Sequence, residues 1–130
     1  MVAPNFQKMF GGVVPGGVIT ITPATPIKVT ANLKLASGSQ SLNVPATPPY
    51  TVTCRQIGFS VDATPSGEVY VNYGPSAGKG NNTALIIQSG TTVALPVNSR
   101  CTEGEIDANA WYVDGSAACV VAISFVDASS

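Results

Sequence analysis

Residues 27–35 read Ile-Lys-Val-Thr-Ala-Asn-Leu-Lys-Leu, so that Ile27, Val29, Ala31, Leu33 and Leu35 alternate with Lys28, Thr30, Asn32 and Lys34. A side-chain period of two belongs to an extended chain, whose successive residues point to opposite faces. The stretch therefore predicts a half-buried strand with one wet face. The same period recurs on both sides of it. Ile19 and Ile21 alternate with Thr20 and Thr22; Ile57, Phe59 and Val61 with Gly58, Ser60 and Asp62; Val69, Val71 and Tyr73 with Tyr70 and Asn72. Near the end of the chain Cys119, Val121, Ile123 and Phe125 carry the larger groups, yet the alternate set Val120, Ala122, Ser124 and Val126 is uncharged too. A strand apolar on both faces belongs in the middle of a sheet or against a neighbouring subunit.

Turn residues punctuate these runs. Ser89-Gly90, between residues 85–88 and 91–95, predicts a two-residue hairpin, and Asp114-Gly115 after residues 111–113 predicts another. Pro65-Ser66-Gly67 turns residues 59–62 into 68–73, and Pro23, Pro26, Pro45, Pro48 and Pro49 break the chain elsewhere. No twelve-residue window shows helical spacing free of Pro and Gly. The expected fold is all-β: one two-sheet sandwich of eight or nine antiparallel strands over residues 18–130, with a jelly roll as the leading topology. An immunoglobulin-like sandwich comes second, because Trp111 lies between Cys101 and Cys119, far too close together for the Cys–Trp–Cys order. Residues 1–17, with Gly11-Gly12 and Gly16-Gly17 around Pro15, read as a flexible arm. Its Phe6, Met9 and Phe10 need a partner surface, unless the terminus simply frays. Residues 96–109 read as a long connection.

Composition narrows the function. A chain of 130 residues is one ordinary domain. Only 10% of it is charged, against about 25% in an average soluble protein. Six Lys and Arg with a net charge of -1 make no basic footprint for nucleic acid. The longest apolar run, residues 117–123, is seven residues, well short of the roughly 18 of a membrane span. Histidine is absent, which removes the usual general base and the commonest metal ligand. The expectation is a protein that is not an enzyme and needs no cofactor. The first ten residues match no secretory or transit pattern, so synthesis in the cytoplasm is expected. Polarity is carried by twelve Ser, twelve Thr and eight Asn. Such a surface lets neighbouring protein approach at little desolvation cost and suits a larger assembly, although a Thr-rich soluble domain would read alike.

The candidate chemical motifs are weak. Gly74-Pro75-Ser76-Ala77-Gly78-Lys79-Gly80 invites comparison with a phosphate loop, but three residues separate Gly74 from Gly78 where four are needed, and Gly80 replaces the Ser or Thr that holds magnesium. No helix follows to supply a terminal dipole, and the stretch reads as a mobile surface loop with a solvated Lys79. Glu103, Glu105 and Asp107 fit no calcium-binding loop and read as solvating groups, with weak cation binding as the alternative. Cys54, Cys101 and Cys119 are odd in number and contain no CxxC; structural thiols are expected, and a disulfide between any two stays open. Asn81-Asn82-Thr83 matches a glycosylation sequon, read as accidental without a signal peptide. Tyr50, Tyr70, Tyr73, Trp111 and Tyr112 could form a sugar-stacking platform; Trp111 and Tyr112, being adjacent, point to opposite faces of a strand, one to the core and one outward. Tyr70, offset from Val69 and Val71, is expected to be exposed.

The second half of the chain resembles small structural proteins of tailed bacteriophages. The likeness runs through Glu68-Val69-Tyr70-Val71-Asn72-Tyr73, Ser89-Gly90-Thr91-Thr92-Val93-Ala94-Leu95-Pro96, and Ala110-Trp111-Tyr112-Val113-Asp114-Gly115-Ser116-Ala117 with the strand ending at Phe125. The resemblance implies a capsid decoration (cement) protein, often a jelly roll, that binds outside the main shell and ties its subunits together. Some related virion proteins serve in head fibres or tails. No catalytic residue, metal or cofactor is carried over. The expected partners are the major capsid protein and further copies of the chain as a dimer or trimer, with no nucleic acid and no membrane. The expected location is the capsid surface of the virion, after synthesis in the host cytoplasm. The side chains expected at the interface are Phe6, Met9, Phe10, Tyr70 and Tyr112.

Overall fold

The computed structural model describes residues 13–33, 53–95 and 106–127. Phe6, Met9, Phe10, Tyr50, Cys101, Glu103 and Glu105 lie outside the described residues. The described chain forms β1 (Val13–Thr20), β2 (Ile27–Lys28), β3 (Thr53–Val61), β4 (Glu68–Tyr73), β5 (Thr83–Gln88), β6 (Thr92–Leu95), β7 (Ile106–Asp107), β8 (Trp111–Gly115) and β9 (Val120–Asp127), with a 3₁₀ turn at Ala108–Ala110.

These strands make an all-β sandwich of two antiparallel sheets. One has the order β1-β9-β3-β6 with β7 also on β3, and the other has the order β2-β8-β4-β5. The pairing is nested: β1 with β9, β2 with β8, β3 with β6, β4 with β5. β9 lies inside its sheet between β1 and β3, so both of its edges are paired.

Alternation sorts the side chains. From the five-stranded sheet Ile19, Ile57, Phe59, Val61, Val121, Ile123 and Phe125 point inward, and from the four-stranded sheet Val69, Val71, Ile87 and Val113 meet them. All are essentially sealed from water, and each such burial stabilises the fold by about 1.5–3 kcal/mol. Cys54 and Cys119 are free, buried thiols in this core.

Several local expectations fail for long-range reasons. The nine-residue strand expected over 27–35 shrinks to Ile27–Lys28. Beyond it the amides of Ala31 and Leu33 donate to the carbonyls of Lys28 and Thr30, so the chain turns. Thr30 Oγ1 reaches Asn109 Oδ1 and Asn32 Nδ2 reaches the Val18 carbonyl, anchoring that turn to distant chain. Asp114-Gly115 is no turn; it is the buried end of β8, with Asp114 opposite Tyr70 and Gly115 opposite Val69. Glycine is required there because a Cβ would stand 2.7 Å from the Glu68 carbonyl oxygen. Ser89-Gly90 does turn the chain, with Gly90 at φ +83, but it links strands of opposite sheets and closes no hairpin. Pro65-Ser66-Gly67 likewise carries the chain from β3 to β4 across the sandwich. Ser89 Oγ ties these two crossings together, accepting from the Gly67 amide at 2.7 Å. β1 takes in residues 13–17, assigned from sequence to the arm, and Gly16-Gly17 form a bulge opposite Ile123. Part of the long connection, 106–110, is ordered as β7 and the 3₁₀ turn.

Candidate functional site

The outer faces of the two sheets differ in kind. On the four-stranded sheet, Glu68, Tyr70 and Asn72 of β4 point outward beside Tyr112 and Asp114 of β8 and Ile86 and Gln88 of β5. The chain between β4 and β5 folds back over this face. Asn72 Nδ2 donates to the carbonyls of Ser76 at 2.9 Å and Gly78 at 2.8 Å, while Asn72 Oδ1 accepts from Thr83 Oγ1. The Gly78 amide donates to Asp114 Oδ2 at 2.7 Å, and the Gly115 amide to Asp114 Oδ1 at 2.8 Å. Asn72 and Asp114 are fully buried. A polar group this deep is tolerable only when its hydrogen bonds are made, and here they are.

The stretch 74–80, expected to be a mobile surface loop, is thus a pinned roof. Three of its polar backbone groups are consumed by the sheet beneath it. Lys79 is exposed, and its Nζ lies 6.0 Å from the centre of the Tyr70 ring. Tyr70, expected at an exposed interface, is only 9% exposed because the roof covers it. Its hydroxyl donates to Glu68 Oε1 at 3.2 Å, and Gln88 Nε2 donates to Glu68 Oε2 at 3.0 Å. The Gln88 contact is the main cause that holds the Glu68 carboxyl below its ordinary range. Tyr112 is half-buried on the same face.

The outer face of the five-stranded sheet carries no such cover among the described residues. Across its strands run two rows of small side chains. Ala94, Gly58, Ser124 and Pro15 form one row, and Thr92, Ser60, Ala122 and Val18 the next. Gln56 and Val126 flank them on one side, Val120 and Thr20 on the other. None of these twelve residues is charged. Over β3, β6 and β9 the rows sink into a groove of about 250 Å³ lined by Gly58, Ser60, Thr92, Ala122 and Ser124, with Phe59 and Ile123 in its floor. Ser60 and Thr92 pair their hydroxyls across it at 3.0 Å. At the far end stands Val18, 54% exposed. The sequence carried a signal for this face in the uncharged alternate set of β9, but not for its neighbours on β3 and β6.

The remaining aromatic residues divide. Tyr73 is 62% exposed and meets Trp111 edge to face with ring centres 5.2 Å apart. Trp111 in turn packs on the core, which makes it the inward member of the Trp111–Tyr112 step. Of the acidic trio only Asp107 is described, and its Oδ1 accepts from the Asn109 amide at 3.1 Å, capping the 3₁₀ turn. Among the described residues no three His, Cys, Asp or Glu side chains converge as a metal site would need, and no helix is long and apolar enough to cross a membrane. No family model matches the chain, and neither a curated protein nor a solved structure matches it.

Proposed function

We propose that this chain is a non-enzymatic virion structural protein: a capsid decoration (cement) protein that binds the outside of a phage head and bridges neighbouring shell subunits. The observation that carries the reading is the contrast between the two sheet faces. One is roofed by the protein's own loop, while the other presents twelve uncharged residues and a groove. A face whose central rows are uncharged loses little on desolvation and suits another protein surface. We read the nested strand pairing as a jelly roll, in keeping with the resemblance of the second half of the chain.

In this reading the bare face meets the shell, and Phe6, Met9 and Phe10 add apolar contacts to an adjacent shell subunit at an ordering cost. Contacts that are individually modest gain strength when copies are linked, through the high effective concentration of the second site. Dimers or trimers of the chain would match the symmetry axes of a shell.

The test adds purified protein to mature, expanded capsids stripped of it, with unexpanded shells as control. Saturable co-sedimentation and a raised temperature of capsid disruption are expected. Ala122→Lys, which places a charge on the bare face, is expected to abolish binding while unfolding like the parent. Absence of binding by the parent protein to either shell would overturn the cement reading and favour a tail or head-fibre component.

A glycan-binding module is the second reading, favoured by the exposed Tyr73 ring braced by Trp111. A glycan array on which binding disappears with Tyr73→Ala would support it. Tyr70 is no longer a candidate for stacking, being under the roof.

A further inference from the structure

The bare face carries both a projection and a hollow, placed where a two-fold contact would need them. We propose that in the free protein this face pairs with the same face of a second copy, each Val18 seated in the other copy's groove. The pairing concerns the protein before it meets any partner and does not rest on the proposed function. A shell that binds this face would compete with the second copy for it.

Position is the first argument. Val18 is 54% exposed; of the large apolar side chains exposed among the described residues, it alone belongs to the five-stranded sheet, Tyr73 and Ile86 lying on the other. Register puts Thr92, Ser60, Ala122 and Val18 in one row across β6, β3, β9 and β1. Val18 and Ser60 therefore stand on opposite sides of Ala122, each one strand, or about 5 Å, away. A two-fold axis lying over β9 and along it exchanges those two places. It sets Val18 of each copy above Ser60 of the other, in the groove, and Ala122 against Ala122. A contact that uses one patch twice must carry both halves of each match on that patch. A second copy fills the hollow and covers the projection at once.

Size and chemistry agree. The groove is about 250 Å³, and a cavity of about 150 Å³ is enough for benzene, so an isopropyl group fits. Gly58 keeps the floor low, since a Cβ on it would stand 2.5 Å from Ser124 Oγ. The Ser60 and Thr92 hydroxyls bond each other at 3.0 Å, so they lose little when water leaves. A two-fold contact sets a patch against itself, and none of the twelve residues is charged, so nothing repels. By strand and residue spacing the rows and their flanks cover roughly 400 Å² on each copy, the size of a weak, transient interface.

Sedimentation equilibrium of the full chain, without capsids, tests this at about 1 μM to about 1 mM. A reversible monomer–dimer equilibrium is expected. Val18→Ser should weaken it about five-fold or more, by loss of the buried isopropyl group. Ser60→Val should weaken it as much, although it adds an apolar group, because two valines then collide. Combining Val18→Ser with Ser60→Val moves the projection across the axis and should restore the dimer. Both positions are exposed, and unchanged melting temperatures would show that the variants fold. A monomer throughout, a dimer indifferent to Val18→Ser, one strengthened by Ser60→Val, or a double variant no better than the single ones would each overturn the proposal. None of these outcomes bears on capsid binding, which is measured separately.

Discussion

The amide of Gly78 donates to the buried carboxylate of Asp114 at 2.7 Å, across 36 residues of sequence. That contact, with the two that Asn72 makes to Ser76 and Gly78, closes the 74–80 loop over the four-stranded sheet, whereas the five-stranded sheet carries no such cover among the described residues.

Removing either anchor should lift the roof. A hydrogen bond to a charged group contributes about 1.5–3 kcal/mol, and its loss leaves a buried partner unsatisfied. Asp114→Ala and Asn72→Ala are each expected to lower unfolding free energy by about 2–3 kcal/mol, measured by urea denaturation. Faster hydrogen exchange at the Gly78 amide and greater exposure of Tyr70 should accompany the loss.

Glycine substitutions should separate close approach from mere looseness. Gly115→Ala brings a Cβ to 2.7 Å from the Glu68 carbonyl and 3.1 Å from Ile21 Cγ2, in a strand that cannot shift without breaking its ladder. Overpacking of this kind costs about 1–3 kcal/mol. Gly80→Ala meets only Asn82 Oδ1 at 3.7 Å and should change stability by no more than about 0.5 kcal/mol. Comparable melting temperatures for the two variants would contradict this account of Gly115.

Cys54 makes the fold sensitive to alkali. Burial pushes its thiol up to about 12, with Asp107 adding to the effect and a hydrogen bond from the Gln56 backbone opposing it. An unperturbed thiol ionises at about 9.0. The raised folded value means that this contribution is fully present below the unfolded value. It is lost as pH climbs from there towards about 12, because only the unfolded chain releases the proton. The slope is up to ~1.4 kcal/mol per pH unit, and Cys54→Ala should remove it. At pH 8 the native thiol should resist alkylation that the urea-unfolded chain undergoes readily.

Deletion of residues 1–12 should leave cooperative unfolding intact, since β1 begins at Val13. Attachment to expanded capsids should weaken. Full occupancy by the truncated protein would remove this segment from the binding reaction.

Much of the architecture was legible because alternation is a local record of which side chain faces the core. Ile57, Phe59 and Val61, or Val121, Ile123 and Phe125, announce their inward faces without help from any partner strand. The open face was half legible: the uncharged alternate set of β9 marked a covered or contacted surface, but the register that sets Gly58 beside Ser124 and Ala94 is a property of three strands together. The roof was not legible at all. Gly74 to Gly80 looks like a loop from either side, and nothing nearby in sequence says that Asp114 will hold it.

The sequence by itself therefore determined the class of fold, its strands and most of its core, since those follow from a period of two and from the breaks between runs. Tertiary structure alone decided that residues 29–33 turn although they alternate, that Asp114-Gly115 ends a strand although it resembles a turn, and that Tyr70 is covered although its neighbours suggest a free face. The deciding bonds join partly buried groups far apart in the chain: Thr30 to Asn109 and Gly78 to Asp114. A local pattern states what a segment prefers; a buried donor or acceptor must be satisfied wherever its partner lies, and that demand overrides the preference.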